Sequence, residues 1–157
     1  MKVYVETSIP SFYFDTRAGA QMKARREWTR EWWAQPKRGE TRLISYAVLA
    51  ELANAPAPKR RAMLELVQNV RALEAHEATE EIVQFYLSHH LMPHGAFGDA
   101  VHLALASLHK CDFLVTWNCK HLANANKLDH IQRVNGLLGL PTPKLVTPLE
   151  LLGSLYD

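Results

Sequence analysis

Two polar residues stand where strands of an α/β protein would end, which is where such proteins place their chemistry. Glu6 closes a strand predicted over Lys2 to Glu6, which is rich in Val and Tyr. Asn118 follows a buried strand predicted over Asp112 to Thr116. Because sites in open parallel sheets gather beyond the carboxyl ends of the strands, Glu6 and Asn118 are expected at the same edge.

Two further carboxylates lie on apolar helices. Glu51 is the only charged residue of the helix predicted over Tyr46 to Asn54, where an unpaired ionised carboxylate is costly to bury. Asp99 stands at the start of a helix predicted over Ala100 to His109, where the helix dipole favours an anion. Each has a simpler explanation: Asp99 as a helix cap, Glu51 on a solvated face, and Glu6 as a cap of the turn after its strand.

Together these groups indicate a metal site more strongly than any one of them alone. Three carboxylates on separate elements and a side-chain amide form a hard oxygen site suited to Mg2+ or Mn2+. Without a cation, the carboxylates would repel one another and raise their own pKa values. The chain contains no H-E-x-x-H or C-x-x-C pattern that would favour zinc instead.

Alternating strands and helices predict an α/β fold with a mainly parallel sheet between helical layers. The predicted strands cover residues 2–6, 41–44, about 72–75, 112–116 and 145–146. The predicted helices cover residues 19–35, 46–54, about 59–70, 78–90, 100–109 and about 120–138, with a last helical turn from Pro148. The stretch Ser8-Ile-Pro-Ser11 is predicted to break the chain after the first strand, because of its proline.

The composition is that of one globular domain. The 157 residues are 48% hydrophobic and 22% charged, and they include no repeat or linker. A net charge of +2 argues against a protein that coats nucleic acid through bulk charge. Two cysteines without a disulfide framework, and no apolar run of membrane-spanning length, predict a soluble cytoplasmic protein.

The charge is unevenly distributed, with a basic and aromatic segment over residues 17–42. This segment has eight basic and three acidic side chains, interleaved with three tryptophans. Such a composition suits single-stranded RNA through phosphate contacts and base stacking, and it also suits a protein interface. Candidate contacts for RNA or a partner protein are Arg25, Arg26, Arg30 and Trp32. The alternative is a solvated helix that packs Trp28 and Trp32 into the core.

Residues 72–109 show the opposite pattern, with five acidic side chains and neither Lys nor Arg. Six of the eight histidines also lie in this segment. One of them, His102, follows Asp99 by one helical turn. It either approaches the site or packs within the apolar helix.

Four motifs in this order resemble a known family. They are Val3-Tyr-Val-Glu-Thr-Ser8, Ala50-Glu-Leu52, Asp99-Ala-Val-His-Leu-Ala104 and Asp112-Phe-Leu-Val-Thr-Trp-Asn-Cys-Lys-His-Leu-Ala-Asn-Ala125. The chain is similar to PIN domains, and within them to the VapC-like toxins of type II toxin–antitoxin systems. The resemblance implies a single PIN-like domain over residues 1–157, with a three-layer α/β/α fold around a central, mainly parallel sheet.

The resemblance also implies an activity: a metal-dependent endoribonuclease that hydrolyses RNA phosphodiester bonds with one or two Mg2+ or Mn2+ ions. Glu6, Glu51 and Asp99 match the acidic positions of the family, and Asn118 falls where many members have a fourth acid. The supporting residues implied are Thr7, Ser8 and Thr116. A cognate antitoxin and a homodimer are the implied protein partners.

Two departures from the family pattern keep a rival hypothesis open. Glu6 replaces the commoner Asp, and Asn118 replaces a carboxylate. The rival is a catalytically weak PIN-fold module that binds RNA or a protein. A Mg2+-dependent phosphoesterase with a DNA substrate is a third, weaker hypothesis.

Overall fold

A five-stranded parallel sheet forms the centre of the molecule. The computed structural model describes residues 1–153. The strands are β1 (Lys2–Val5), β2 (Thr41–Ser45), β3 (Arg71–Leu73), β4 (Phe113–Val115) and β5 (Lys144–Val146). Their order is β3-β2-β1-β4-β5, and each neighbouring pair is parallel. The carboxyl ends of all five strands therefore face the same edge.

Helices flank this sheet in a three-layer α/β/α arrangement. They are α1 (Ser8–Tyr13), α2 (Ala20–Ala34), α3 (Tyr46–Ala53), α4 (Ala57–Val67), α5 (Ala78–Ser88), α6 (Phe97–Leu108), α7 (Ala125–Leu137) and α8 (Pro148–Gly153). Helix α2 packs on α1 and α8, α3 packs on α4 and α6, and α5 packs on α6.

The core is centred on β1, which lies in the middle of the sheet. Val3, Tyr4 and Val5 are all fully buried, as expected for a strand covered on both faces. Tyr4 is in register with Leu43 of β2 and with Leu114 of β4. This pairing fixes the end of β1 between the ends of its two neighbours, so that residues just beyond these ends come close together.

The predicted α/β fold with a parallel sheet is confirmed, including the short edge strand near residue 72. No helix within residues 1–153 is long and apolar enough to cross a membrane. Cys111 is buried and Cys119 exposed, and both are free thiols. The predicted single domain extends to residue 157, and its last four residues lie outside the described residues.

Two predicted local structures differ from those observed. Ser8–Tyr13 is a helix rather than a break, because Pro10 lies in its first turn, where a missing backbone N–H breaks no helical hydrogen bond. The helix predicted from residue 120 begins only at Ala125. Asn118 and Asn124 accept backbone N–H groups with their side chains here, which competes with helix formation.

Candidate metal centre

Glu6 lies directly after β1 and is held by hydrogen bonds from three donors. Its backbone N–H continues the sheet by donating to the Val115 carbonyl oxygen at 3.1 Å. The side chain is 7% exposed. Its Oε2 accepts hydrogen bonds from Ser8 N at 3.0 Å, from Ser8 Oγ and from Thr116 Oγ1 at 2.7 Å. All three bonds use Oε2, whereas Oε1 lies 4.0 Å from Nε2 of His102.

Glu51 reaches the same region from helix α3. Ser45 caps this helix, because its Oγ accepts hydrogen bonds from Ala47 N at 3.2 Å and Val48 N at 3.4 Å. Glu51 Oε1 lies 2.7 Å from Nε2 of His102, within hydrogen-bond distance. The Glu51 side chain is 41% exposed, so this carboxylate is open to solvent on one side.

His102 of helix α6 lies between the two carboxylates. Its side chain is 1% exposed, and its Nε2 is 4.0 Å from Glu6 Oε1. Its Nδ1 is 2.7 Å from the Tyr4 hydroxyl, which is itself 2.7 Å from Ser45 Oγ. The ring is therefore fixed from both sides by hydrogen bonds.

The charges in this cluster shift two pKa values in opposite directions. Partial burial disfavours ionised Glu51, but the hydrogen bond and charge of His102, with a hydrogen bond from Thr7, lower the pKa of Glu51 overall. Burial disfavours protonated His102, but the hydrogen bond to Glu51 and the charges of Glu6, Glu51 and Asp99 raise the pKa of His102 overall. In both residues, the contact between Glu51 and His102 is the largest effect that opposes burial.

The donor atoms fit a divalent cation. One atom each of Glu6, Glu51 and His102 lies within 4.8 Å of the others, and this is the only such group of three that residues 1–153 contain. Two carboxylates from separate elements supply the oxygens that Mg2+ and Mn2+ prefer. The imidazole is either a third ligand or a hydrogen-bond donor to Glu51.

The structure brings Glu6 and Glu51 together but leaves Asp99 and Asn118 at the margin. Asp99 lies in the first turn of α6, half-buried, and acts on His102 through its charge. Asn118 Oδ1 accepts hydrogen bonds from Lys120 N at 3.2 Å and His121 N at 2.9 Å. That oxygen therefore supports its own loop.

The predicted supporting residues lie next to the carboxylates. Ser8 and Thr116 both donate to Glu6, and the Ser8 hydroxyl also accepts a hydrogen bond from Trp117 N at 2.8 Å. Thr7 Oγ1 lies 3.5 Å from His102 Nε2 and hydrogen-bonds Glu51.

The candidate contact residues of α2 have different environments. Arg25 lies over the rings of Phe12 and Trp117, with its guanidinium carbon 5.6 and 5.1 Å from the ring centroids. Arg26 donates to the Asp15 carbonyl oxygen, and Arg30 donates to that of Tyr13. All three arginines keep their charge near the surface.

The prediction that Trp32 contacts RNA or a partner protein is wrong. The sequence makes it a candidate for stacking on RNA or a partner, but its side chain is only 1% exposed and packs in the core. Its position on the buried face of α2 agrees with the alternative of a helix that packs its tryptophans inward. Trp32 offers no free ring face to a ligand in this structure.

Sequence reasoning left His102 undecided, and it missed the roles of Tyr4 and Ser45. A histidine three residues after Asp99 on an apolar helix was the available signal. The hydroxyl groups of Tyr4 and Ser45 gave no such signal, because a strand tyrosine and a helix-capping serine are both common. Their connection requires β1, β2 and α6 to meet.

The parallel α/β fold places Glu6 after its central strand, close to Glu51 of α3. The model of the PIN domain family matches residues 3–125. The chain belongs to the PIN domain family. No curated protein matches the chain.

Solved structures with the same fold include three bacterial proteins. VapC20 of Mycobacterium tuberculosis, described as a toxin that cleaves the sarcin–ricin loop, is 20% identical and has a TM-score of 0.57. The match covers 76% of this chain and 92% of VapC20. A toxin–antitoxin complex from Klebsiella pneumoniae is 19% identical, with a TM-score of 0.57 and coverage of 80% and 93%. VapBC-1 from nontypeable Haemophilus influenzae is also 19% identical, with a TM-score of 0.57 and coverage of 83% and 94%.

Proposed function

We propose that the protein is a Mg2+- or Mn2+-dependent endoribonuclease that acts in the cytoplasm as the toxin of a toxin–antitoxin pair. The observation that carries the proposal is the convergence of Glu6 and Glu51 at the carboxyl end of the sheet, in a chain of the PIN family. The described activity of VapC20 supports RNA as the substrate, and the two neighbouring toxin–antitoxin structures support an antitoxin partner.

In this proposal Glu6, Glu51 and Asp99 hold the cation, and Asn118 contributes from the edge of the site. A divalent cation bound there supplies positive charge that polarises a phosphoryl oxygen and lowers the pKa of water. Ser8 and Thr116 fix the Glu6 carboxylate through their hydrogen bonds. His102 and Thr7 orient Glu51. The 41% exposure of Glu51 leaves room for a substrate phosphate to approach.

The test compares Asp99→Asn with Asp129→Asn, which makes the same chemical change at an exposed position of α7. Purified variants are incubated with structured RNA and Mn2+, and cleavage rates are measured. Asp99→Asn should lower the rate by about 100-fold, equivalent to about 2.7 kcal/mol of transition-state stabilisation. Asp129→Asn should cleave at the wild-type rate, and both variants should keep the wild-type melting temperature. Cleavage by Asp99→Asn at the wild-type rate would contradict this site assignment.

The substrate and partner need separate measurements. RNA should be cleaved and a DNA oligonucleotide of the same sequence left intact, whereas cleavage of DNA alone would favour a DNA phosphoesterase. The chain should form a homodimer in sedimentation experiments. It should arrest growth when expressed alone, and the product of a neighbouring small reading frame should relieve the arrest by binding it. A protein without an effect on growth and without such a partner would not be a toxin of this kind.

One observation favours the rival function, a catalytically weak binding module. Asn118 Oδ1 is engaged with its own loop, and Asp99 lies outside the close group of ligand atoms. Failure of the wild-type protein both to bind Mn2+ and to cleave RNA, together with retained RNA or protein binding, would favour the module. Asn118→Asp provides a second comparison, since a restored fourth carboxylate should raise the cleavage rate of a weakened enzyme.

A further inference from the structure

His102 connects Glu51 to the buried hydroxyl groups of Tyr4 and Ser45. Its ring links Glu51 on one side to Tyr4 and Ser45 on the other, through hydrogen bonds of 2.7 Å each. Tyr4 is fully buried, and His102 and Ser45 are buried with it. The chain of contacts therefore runs from the N-cap of α3, through β1 and α6, back to Glu51 on α3.

We propose that His102 is a positioning residue that holds the Glu51 carboxylate through a proton on Nε2, and that it is not itself a ligand of the cation. The inference deepens the proposed function by defining an all-oxygen ligand set around the same site. Its tests do not depend on RNA cleavage.

The contact with Glu51 gives the first argument. Nε2 and Oε1 are 2.7 Å apart, so a proton must lie between them. A carboxylate that holds a cation is ionised, and an ionised carboxylate can only accept a hydrogen bond, so Glu51 cannot be the donor. The proton must therefore be on Nε2, where it blocks the lone pair that a metal would use.

The serine and tyrosine hydroxyls give a second argument, based on counting donors and acceptors. Ser45 Oγ already accepts two backbone N–H groups, which uses both of its lone pairs. Its own proton is then donated to the Tyr4 oxygen, and the Tyr4 proton to His102 Nδ1. A neutral ring with an acceptor at Nδ1 carries its proton on Nε2, in agreement with the first argument.

The consequence concerns the choice of ion. With His102 as a donor, the ligands come from Glu6, Glu51 and Asp99, and such an oxygen set suits Mg2+ and Mn2+ alike. With His102 as a ligand, the imidazole nitrogen would favour Mn2+ or a later transition metal over Mg2+. The two arrangements therefore differ in ion preference as well as in hydrogen bonding.

Nitrogen-15 NMR of the metal-free wild-type protein tests the tautomer directly. The neutral His102 ring should show a protonated Nε2 and an unprotonated Nδ1. Tyr4→Phe removes the donor to Nδ1 and should admit the other tautomer. Tyr86→Phe is the matched control, because Tyr86 is also fully buried but bonds Asn135 instead. A neutral wild-type ring with its proton on Nδ1 would overturn the proposal.

Pulsed EPR of the wild-type protein loaded with Mn2+ tests the ligand set. We expect no coupling from a directly coordinated imidazole nitrogen, and observation of such coupling overturns the proposal. Titrations with Mg2+ and Mn2+ alone should show no strong preference for Mn2+, whereas a marked preference would count against an all-oxygen set.

Two substitutions separate a hydrogen-bond donor from a ligand. His102→Leu removes the donor and should weaken Mn2+ binding by about 10- to 100-fold, as expected for the loss of a group that orients a ligand. His102→Gln keeps an N–H group near the Nε2 position and should restore affinity to within about threefold of wild type. Equal losses in both variants would contradict the positioning role. If His102→Leu does not fold, the NMR and EPR measurements on wild type still decide.

Failure of this inference differs from failure of the proposed function. If Nε2 is protonated and Mn2+ shows no nitrogen coupling, but the protein cleaves no RNA, the positioning role of His102 stands and the proposed endoribonuclease activity is wrong. If the protein cleaves RNA but Mn2+ shows nitrogen coupling, only the positioning role of His102 is wrong.

Discussion

Gly98 leaves space that the Glu51 carboxylate occupies. A Cβ atom built on Gly98 would lie 3.3 Å from Glu51 Oε1, the oxygen that also bonds His102. This distance is tight enough that the carboxylate would have to shift by a few tenths of an ångström. Gly98 therefore matters to the site because it has no side chain, although it lies outside the acidic motif.

Gly98→Ala should move Glu51 and weaken Mn2+ binding, without harming the fold. Alanine favours a helix over glycine by up to about 1 kcal/mol, so the free energy of unfolding should stay the same or rise. Isothermal titration with Mn2+ and thermal melting measure the two effects. Gly95→Ala is the control, because nothing lies within 4 Å of its added Cβ. Unchanged Mn2+ affinity in Gly98→Ala would show that Glu51 adjusts freely or is not a ligand.

Thr116 carries a second residue-scale prediction, because its hydroxyl serves two partners. It donates to Glu6 at 2.7 Å and accepts from Asn118 N at 2.9 Å, and it is fully buried. A hydrogen bond to a charged group contributes about 1.5–3 kcal/mol, so Thr116→Val should lower the free energy of unfolding by about that amount. Chemical denaturation measures the loss.

Thr116→Ser keeps the hydroxyl and serves as the control for Thr116→Val. It should recover most of the lost stability and all of the Mn2+ affinity. A valine variant as stable as wild type beside a destabilised serine variant would mean that the methyl group, rather than the hydrogen bonds, is what the site requires.

At the scale of elements, helix α2 is tied to the loop that follows β4. The buried indole Nε1 of Trp117 donates to Thr29 Oγ1 at 2.7 Å, and the Thr29 hydroxyl donates to the Arg25 carbonyl oxygen at 2.6 Å. Trp117 also stacks on Trp28, with ring centroids 6.2 Å apart. Because Trp117 N also donates to Ser8, α2 supports the loop on which the Glu6 environment depends.

Thr29→Val should therefore destabilise the protein by leaving the buried indole N–H of Trp117 unpaired. The expected loss is about 1–3 kcal/mol, the usual effect of an unsatisfied buried polar group. Tryptophan fluorescence during urea unfolding measures it, and Thr29→Ser, which retains the hydroxyl, should be close to wild type. A valine variant as stable as wild type would show that water replaces the Thr29 hydroxyl.

Asp15, in the segment between α1 and α2, should contribute a stability that depends on pH. The hydrogen bonds and charge of Arg17 lower the pKa of the Asp15 carboxyl, against a smaller effect of burial. A group with a lowered folded-state pKa adds stability above its unfolded pKa of about 3.9 and loses it as the pH falls through the folded value. Asp15→Asn should therefore melt below wild type at pH 7, and this difference should shrink in acid. A difference independent of pH would mean that packing, rather than charge, is lost.

The sequence predicted the strands and helices more reliably than the segments that connect them. Alternation and β-branched residues predicted β1, and Ser45 before an apolar run predicted the start of α3. Helix α1 was missed because a proline in a first helical turn is hard to tell from one that ends a strand. The loop after β4 was missed because the capping preference of Asn118 competes with a helical composition.

The candidate site was predictable to the extent that its residues follow strands or stand alone on apolar helices. Glu6 and Glu51 met that criterion, and the structure brings them together. The place of His102 between them was not predictable, because it depends on how α6 packs against α3 and β1. The burial of Trp32 was equally a matter of which face of α2 turns inward.

At the scale of the whole molecule, the basic segment 17–42 and the acidic segment 72–109 place fewer charges at the site than their net charges indicate. Of the acidic residues in segment 72–109, only Asp99 acts on His102, while the four glutamates are exposed on α5 and in the connection between β3 and α5. Of the basic residues in segment 17–42, Arg25 is linked to the site through Trp117, which it lies over and whose N–H donates to Ser8 beside Glu6. The charge totals of the two segments therefore do not describe the charge at the site, where Glu6 and Glu51 lie outside both segments.

A lysine outside the basic segment lies in the same cavity as Glu51. A cavity of about 250 Å³ is lined by both residues and by Thr7 and Ser11. Lys59 Nζ donates to Ser11 Oγ at 3.2 Å, and within residues 1–153 no carboxylate lies within 4 Å of it. In the proposed endoribonuclease, a cation held by a neutral hydroxyl beside the acidic site would suit a phosphate of the bound strand.

Lys59→Ala should weaken RNA binding and reduce its dependence on salt, while Mn2+ affinity stays unchanged. Each phosphate contact to a single strand contributes about 0.7 to the slope of log affinity against log salt, so the slope should fall by about that amount. The measurement uses the Asp99→Asn background, in which RNA should remain intact, and fluorescence anisotropy over a range of salt. Arg61→Ala removes one positive charge from an exposed position of the same helix and is the control. If both variants lower the slope equally, RNA responds to the overall charge of α4, and the cavity beside Glu51 has no particular part in binding the strand.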